Sequence, residues 1–304
     1  MKIGEFAMDE YIDIINKTLN DVEEIKLISK TNNIVFKVKS RQYGVVYAKF
    51  YLNKSSHIDN EIKLYDFVNN KYLKEIITKS YSFAIFKELK GKTVDELSES
   101  ELSNNKEYIV ESLIDFFETI SKKKIQGFGL LDSNLNGTSK DFKEFIVKRQ
   151  LSTQNELKDY PFLNNIFSKI YEKYSDLIVE DNCLVPIDTN MKNIMLTEQN
   201  EIKFIDPGEL ISAPILMGYG DFVAHTYKTE LYNCLMEKLK LNGKDEKRLR
   251  IYAIFSSLNV LAFIKRAGGN ELDKVIPYGN KYTFYDLIKE HLEKLEIFKK
   301  DRPS

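Results

Sequence analysis

Three oxygen-bearing side chains in the second half of the sequence, Asp188, Asn193 and Asp206, are spaced so that one short hairpin could gather them. Two brief apolar runs on either side of the polar stretch 197–200 predict two strands joined by a turn. Because a hairpin brings its open ends together, we expect Asn193 and Asp206 to lie side by side, with Asp188 on the loop just before them. Such oxygen ligands suit Mg²⁺, a hard cation that takes one or two protein oxygens and completes its shell with phosphates and water.

The sequence around these residues resembles the catalytic and metal loops of the protein-kinase-like phosphotransferases. Asp-x4-Asn at 188–193, followed by a strand and by Ile-Asp-Pro-Gly at 205–208, is similar to the pattern of the aminoglycoside phosphotransferase, choline kinase and fructosamine kinase group. The segment Gly218–Ala224 resembles the Asp-Leu-Ala segment of the same group. The resemblance covers most of the chain.

The resemblance implies an α+β, protein-kinase-like fold of two lobes. Residues 1–89 would form a small, β-rich, nucleotide-binding lobe, and residues 90–304 a larger, mostly helical lobe for catalysis and acceptor binding. Helical periodicity supports the larger, mostly helical lobe, because it predicts helices along much of the chain after Lys92. The predicted helices are 104–123, 141–151, 163–174, 221–239, 245–265 and 283–298.

The resemblance also assigns roles to the three oxygen-bearing residues. Asp188 would orient the acceptor hydroxyl and could accept its proton, while Asn193 and Asp206 would hold Mg²⁺ on the phosphates of ATP or GTP. Phosphoryl transfer of this kind depends mainly on positioning and charge neutralisation, so few protein groups are needed. The sequence departs from the family in one place, since Pro186-Ile187 stands where a loop-bracing histidine is usual. Because loops favour Asp and Asn, an ordinary surface loop is the alternative.

A lysine on a predicted strand, Lys49, is the candidate phosphate-binding cation of the first lobe. A buried ammonium needs a partner, and Glu61 falls on the apolar stripe of a helix predicted over residues 56–70. In the family, such a lysine reaches the α- and β-phosphates and the helical glutamate holds it. The alternatives are a lysine whose tip reaches water at a strand edge, and a glutamate that lies in solvent or pairs with Lys54 or Lys63.

The remaining nucleotide contacts are assigned by the resemblance alone. The phosphate-covering loop falls on Ser29–Asn33, which contains no glycine. Asn32 and Asn33 tolerate left-handed backbone, and the neighbouring hydroxyls can donate hydrogen bonds, so a phosphate loop and an ordinary turn fit this segment equally well. Backbone groups of Lys87 and Leu89, in the linker between the lobes, would meet the edge of the adenine ring.

Composition limits the classes of function. The 304 residues are 43% hydrophobic and 30% charged with a formal net charge of −1, which is typical of a soluble globular protein and gives no basic surface for nucleic acid. Two cysteines, Cys183 and Cys234, predict a reducing, cytoplasmic compartment, and their spacing does not fit a zinc site. The chain shows neither the apolar core of a signal peptide nor a run that could span a bilayer.

Two functional hypotheses follow. The first is an ATP- and Mg²⁺-dependent phosphotransferase that moves the γ-phosphate to a hydroxyl of a small molecule, such as an aminoglycoside-like antibiotic, an amino sugar or a choline-type metabolite. It would act as a monomer or homodimer, without nucleic acid or membrane. The alternative is a nucleotide-binding pseudokinase with a regulatory or scaffold role, which the missing histidine and the glycine-free loop favour. A protein kinase is disfavoured, because no activation segment ending in Ala-Pro-Glu is present.

Overall fold

The computed structural model divides the chain into two compact units, Met1–Lys90 and Gly91–Ser304. It describes residues 7–30, 33–52, 61–62, 72–77, 82–123, 125–132, 134–178, 181–206, 210–270, 272–277 and 280–297, with the backbone alone for 72–77. Within these residues, none of the helices is both long enough and apolar enough to cross a membrane.

The first unit contains a five-stranded antiparallel sheet in the order β1-β2-β3-β5-β4. Its strands are β1 (Val22–Lys30), β2 (Asn33–Ser40), β3 (Gly44–Tyr51), β4 (Tyr72–Ile77) and β5 (Ser82–Lys87). The first helix of the chain, α1 (Met8–Leu19), was not predicted from the sequence. Its buried residues Tyr11, Ile15 and Leu19 recur at helical spacing and join one core with inward-facing residues of the sheet.

The two faces of β3 serve different purposes. Val46, Ala48 and Phe50 point into the core that α1 covers. By the two-residue period of a strand, Lys49 and Tyr51 lie on the opposite face. Of the helix predicted over residues 56–70, only 61–62 lie within the described residues, and both are helical.

In its described residues, the second unit is mostly helical and contains two small sheets. The sheets have the orders β11-β10-β6 and β8-β7-β12-β9. The strands are β6 (Gly91–Thr93), β7 (Phe128–Leu131), β8 (Gly137–Ser139), β9 (Cys183–Pro186), β10 (Ile194–Thr197), β11 (Ile202–Phe204) and β12 (Leu210–Ala213). The helices are α2 (Glu99–Ser121), α3 (Phe142–Glu156), α4 (Pro161–Asn164), α5 (Ile166–Tyr174), α6 (Ile215–Thr226), α7 (Glu230–Leu239), α8 (Gly243–Arg266) and α9 (Phe284–Lys294).

Several of these helices begin at a polar residue whose side chain accepts a hydrogen bond from the first turn, which satisfies a backbone N–H that would otherwise lack a partner. These capping residues are Ser98, Asp141, Thr229, Asn242 and Thr283. The α+β class predicted from the sequence is confirmed.

Two predicted helices are wrong in their continuity. The helix predicted over 163–174 is interrupted at Asn165, between α4 and α5, and the second case is the helix predicted over 221–239. The pattern over 221–239 predicted a single helix, whereas the structure has two, α6 and α7, separated at Tyr227–Thr229. Lys228 adopts a left-handed backbone with φ of 59°. The fully buried Tyr227 ring packs against Tyr232 and His291, so tertiary packing fixes the break where no glycine or proline marks it.

Candidate active site

The loop that follows β9 is held in place by hydrogen bonds from its own side chains. Asp188 has a left-handed backbone with φ of 72°, a conformation that few residues other than glycine adopt but that Asp tolerates. The Asn190 side chain donates from Nδ2 to Asp188 Oδ1 at 2.6 Å and accepts at Oδ1 from the Lys192 N–H at 2.9 Å. The Asn193 Nδ2 donates to the Asp188 backbone carbonyl at 2.8 Å. These bonds fix both the backbone and the carboxylate of Asp188.

The predicted hairpin is present, and Asn193 and Asp206 lie at its open end. Ile194 pairs with Phe204 across β10 and β11, and the Ile205 N–H donates to the Asn193 carbonyl at 2.8 Å. Asp206 is exposed, and its backbone is also left-handed, with φ of 42°. The Asp188 backbone carbonyl can only accept a hydrogen bond, so the atom of the Asn193 side chain that contacts it must be the amide nitrogen. The Oδ1 atom of Asn193 therefore points away from this carbonyl.

A buried carboxylate braces the same loop from α6. Asp221 is 7% exposed, and its Oδ2 accepts from the Thr189 N–H at 2.8 Å and from the Thr189 hydroxyl at 3.1 Å. The Ser256 hydroxyl donates to Oδ1 of the same carboxylate. These hydrogen bonds show that Asp221 braces the loop. Asp221 thus supports a loop in which Pro186-Ile187 replaces the usual histidine.

Two glycines allow α6 to approach closely enough for this contact. A Cβ atom at Gly220 would lie 2.7 Å from Tyr252 Cβ on α8, and one at Gly218 would lie 2.7 Å from Val185 Cγ1 on β9. Any larger residue at either position would push α6 away from its neighbours. The glycines therefore help to set the distance from Asp221 to the loop.

The surroundings of Asp188 raise the pKa of its carboxyl group above that of an ordinary aspartate in the absence of ligands. Partial desolvation by the surrounding protein and the nearby charge of Asp221 raise the pKa of Asp188 to about 6, with a smaller increase from Asp206. His225 and the hydrogen bond from Asn190 act in the opposite direction. Because Asp188 is also exposed to solvent, water screens these charges and moderates the effect.

A buried ion pair lies on the face of β3 opposite the core that α1 covers. Lys49 Nζ lies 2.8 Å from Glu61 Oε2, and each side chain is only 6% exposed. The predicted pairing is confirmed, which excludes a Lys49 tip in water and a Glu61 in solvent. The Tyr51 hydroxyl donates to the same Oε2 at 2.6 Å, and Lys49 Nζ lies 5.0 Å from the centroid of the Tyr51 ring. Sequence reasoning missed Tyr51, although the two-residue period places it beside Lys49.

The other predicted nucleotide contacts stay predictions. Lys87 is exposed at the end of β5, Leu89 is half-buried, and Asn33 begins β2 opposite Tyr51. Asn32 lies outside the described residues.

The described residues contain no group of three or more His, Cys, Asp or Glu side chains that could hold a metal ion. The two ligands predicted from the sequence would suit a different kind of site. Asn193 and Asp206 offer two oxygens at one hairpin end, which suits a Mg²⁺ ion whose remaining ligands are phosphate oxygens and water.

Comparison with known proteins identifies the fold. No family model and no curated protein sequence matches this chain. Among solved structures, a thermostable mutant of the aminoglycoside phosphotransferase APH(4)-Ia in ternary complex with ADP and hygromycin B is 13% identical, with 96% of this chain and 99% of that chain covered and a TM-score of 0.71. Choline kinase LicA from Streptococcus pneumoniae is 14% identical, with 96% and 99% covered and a TM-score of 0.61. A protein from Haemophilus somnus 129PT assigned as a fructosamine-3-kinase is 12% identical, with 93% and 95% covered and a TM-score of 0.57.

The resemblance inferred from the sequence is therefore confirmed at the level of the fold. This chain has the protein-kinase-like fold of those small-molecule kinases, with a small antiparallel sheet in the N-terminal unit and a mostly helical C-terminal unit. Since one fold can carry several functions, the activity must be argued from the site residues themselves.

Proposed function

We propose that this chain is an ATP- and Mg²⁺-dependent phosphotransferase that moves the γ-phosphate to a hydroxyl of a small molecule. The observation that carries the proposal is the arrangement around the β10–β11 hairpin. There a braced loop presents the carboxylate of Asp188, and the oxygens of Asn193 and Asp206 lie at the adjacent hairpin end. Active sites often concentrate features such as two left-handed aspartates and a raised carboxylate pKa.

Each residue has a distinct role in this proposal. Asp188 binds the acceptor hydroxyl through its carboxylate and takes up its proton as the acceptor oxygen bonds to the γ-phosphorus. The bond from that phosphorus to the bridging oxygen breaks, and ADP leaves. The raised pKa of Asp188 makes it a stronger base than an ordinary aspartate. Asn193 and Asp206 hold the metal ion, which when bound neutralises phosphate charge. Asp221 keeps the loop in shape and does not contact the substrate.

In the N-terminal unit, Lys49 binds the α- and β-phosphates and Glu61 holds Lys49 in place. The backbone of Lys87 and Leu89 meets the adenine edge, and Asn32 and Asn33 contribute to covering the phosphates. Nucleotide binding is supported by the related structures, since APH(4)-Ia was crystallised with ADP and LicA with AMP.

The acceptor is proposed to be a hydroxylated small molecule that carries a positively charged nitrogen. The solved relatives include an aminoglycoside phosphotransferase in complex with hygromycin B and a choline kinase. The local charge supports the same class, because Asp188, Asp206 and Asp221 lie close enough to interact electrostatically. An excess of negative charge attracts cationic ligands. Aminoglycosides, amino sugars and choline are therefore the first acceptors to test, and an aminoglycoside would imply a role in antibiotic resistance.

A second candidate is a pseudokinase that binds nucleotide without transferring phosphate. The glycine-free segment Ser29–Asn33 favours it. The missing histidine is weaker support for a pseudokinase than the sequence suggested, because the Asp221 carboxylate holds the loop through Thr189.

The test combines nucleotide binding with turnover. The full chain is incubated with ATP, Mg²⁺ and a panel of aminoglycosides, amino sugars and choline, and ADP release is measured beside thermal unfolding. We expect Mg²⁺-dependent stabilisation by ATP, since a ligand of the folded state raises its stability, together with acceptor-dependent ADP release. Asp206→Asn should weaken both effects. Asp176→Asn, which changes an exposed aspartate that has no role in the proposed site, is the matched control. Stabilisation by ATP with no turnover of any acceptor would favour the pseudokinase.

A further inference from the structure

The Lys49–Glu61 pair has a third member, the hydroxyl of Tyr51. Glu61 Oε2 accepts from Lys49 Nζ at 2.8 Å and from Tyr51 Oη at 2.6 Å, so one carboxylate oxygen holds both donors. We propose that Tyr51 is a positioning residue of the nucleotide site, whose hydroxyl orients Glu61 and thereby holds Lys49 where it can reach phosphate. This inference rests on the proposed function.

The strand explains how Lys49 and Tyr51 come together. They are two residues apart on β3, so both side chains leave the same face, opposite the core that α1 covers. Lys49 Nζ also lies 5.0 Å from the Tyr51 ring centroid, within the range of a cation–π contact. Tyr51 therefore contacts the lysine through its ring and the glutamate through its hydroxyl.

Burial makes the hydroxyl important. Lys49 and Glu61 are each 5% exposed and Tyr51 is 4% exposed, so water cannot easily replace a lost contact. A buried ion pair is maintained only when the remaining hydrogen-bonding capacity of its members is satisfied. A hydrogen bond to a carboxylate is charge-assisted and stronger than one between neutral groups. Tyr51 thus lowers the free-energy cost of keeping the Glu61 carboxylate ionised inside the unit.

The ring of Tyr51 ties the same segment to the sheet by apolar contact. Tyr51 packs in a small cluster with Ile62 and Ala84, and Phe86 lies against this cluster. Because Ile62 follows Glu61 in the chain, Tyr51 fixes two consecutive residues, one through its ring and the other through its hydroxyl. A tyrosine has only two side-chain torsions, so it holds this geometry at a low entropy cost.

The test removes the hydroxyl alone. Tyr51→Phe keeps the ring, and Tyr43→Phe is the matched control, because Tyr43 is 42% exposed in the turn before β3. The affinities of the full chain for Mg·ATP, Mg·ADP and adenosine are measured by calorimetry or, for adenosine, by displacement of bound ADP. We expect Tyr51→Phe to bind ATP and ADP about three- to tenfold more weakly, as for the loss of one hydrogen bond that positions a charged group. Adenosine has no phosphate and should bind as it does to the wild type.

The second arm shows whether Tyr51 acts through Glu61. In a Glu61→Leu background, adding Tyr51→Phe should change ADP affinity less than twofold, because residue 61 then has no oxygen that could accept from the Tyr51 hydroxyl. Three results would overturn the inference: unchanged ATP and ADP affinity in Tyr51→Phe, equal weakening of adenosine, or a full effect in the Glu61→Leu background. If the wild type binds neither ATP nor ADP, the proposed function itself fails, and the positioning role fails with it.

Discussion

Glu61 in the N-terminal unit and Asp188 in the C-terminal unit are both carboxylates with proposed roles in one reaction, yet their surroundings differ. Glu61 is buried, and one of its oxygens binds a lysine and a tyrosine hydroxyl. Asp188 is exposed, stands on left-handed backbone, and has other carboxylates as electrostatic neighbours. The carboxylate that holds another side chain, Glu61, is compensated by a cation within the protein, whereas Asp188, which is proposed to meet a ligand, is left partly uncompensated.

Breaking the buried pair should have the largest effect on stability. We expect Glu61→Ala to lower the free energy of unfolding by about 3–5 kcal/mol, because the buried Lys49 ammonium loses its carboxylate. The measurement is urea denaturation without ligands. The double variant Lys49→Met/Glu61→Leu replaces both charges with apolar groups of similar size and should recover most of the loss. If Glu61→Ala unfolds at the same urea concentration as the wild type, the pair is not the stabilising contact described here.

Removing the brace of the Asp188 loop should have the next largest effect. Asp221→Ala leaves the buried Thr189 N–H without its acceptor and should lower the free energy of unfolding by about 2–3 kcal/mol. It should also reduce phosphoryl transfer, because Asp188 is the residue that precedes Thr189. Asp221→Asn retains an acceptor oxygen and should lose less. Full activity in a stable Asp221→Ala variant would show that the loop does not need this support.

The uncompensated charge of Asp188 should make the stability of the protein depend on pH. The pKa of Asp188 rises from the ordinary 3.8 to about 6 in the folded, ligand-free protein. The folded state therefore holds this proton more tightly than the unfolded state, and stability falls as pH rises from about 4 to about 6. Asp188→Asn removes this contribution, so it should be more stable than the wild type at pH 7 and similar at pH 4. The measurement is urea denaturation of both proteins at pH 4 and at pH 7. An equal difference in the free energy of unfolding at the two pH values would contradict this prediction.

Removing a surface ion pair should have the smallest effect on stability, so it serves as a control for the other substitutions. Lys106 and Glu230 lie 2.9 Å apart, with side chains 35% and 51% exposed. Since solvent screens such pairs, we expect Glu230→Ala to leave the urea midpoint within experimental error of the wild type. A large loss here would mean that simple truncation of charged residues destabilises this protein for reasons other than burial.

The sequence predicted those parts of the fold and site that follow from local pattern. The hairpin at 194–205 is visible because turn residues separate two apolar runs, and the Lys49–Glu61 pairing follows from strand and helix periods together with the need of a buried charge for a partner. The break between α6 and α7 was missed because packing around Tyr227 determines it. The contacts of Asp221 and Tyr51 were missed in detail because they join residues that are distant in sequence or that carry no motif.

The most direct test of the central claim compares Asp188→Asn with the wild type, once an acceptor has been identified in the panel. The substitution keeps the shape of the side chain and removes its ability to accept a proton. We expect the turnover number to fall by a factor of about 10²–10⁴, the range for loss of a general base, while the affinity for Mg·ATP stays within about twofold, because Asp188 is not a proposed ligand of the nucleotide. Undiminished turnover in a folded Asp188→Asn variant would contradict the assignment of this loop as the catalytic centre.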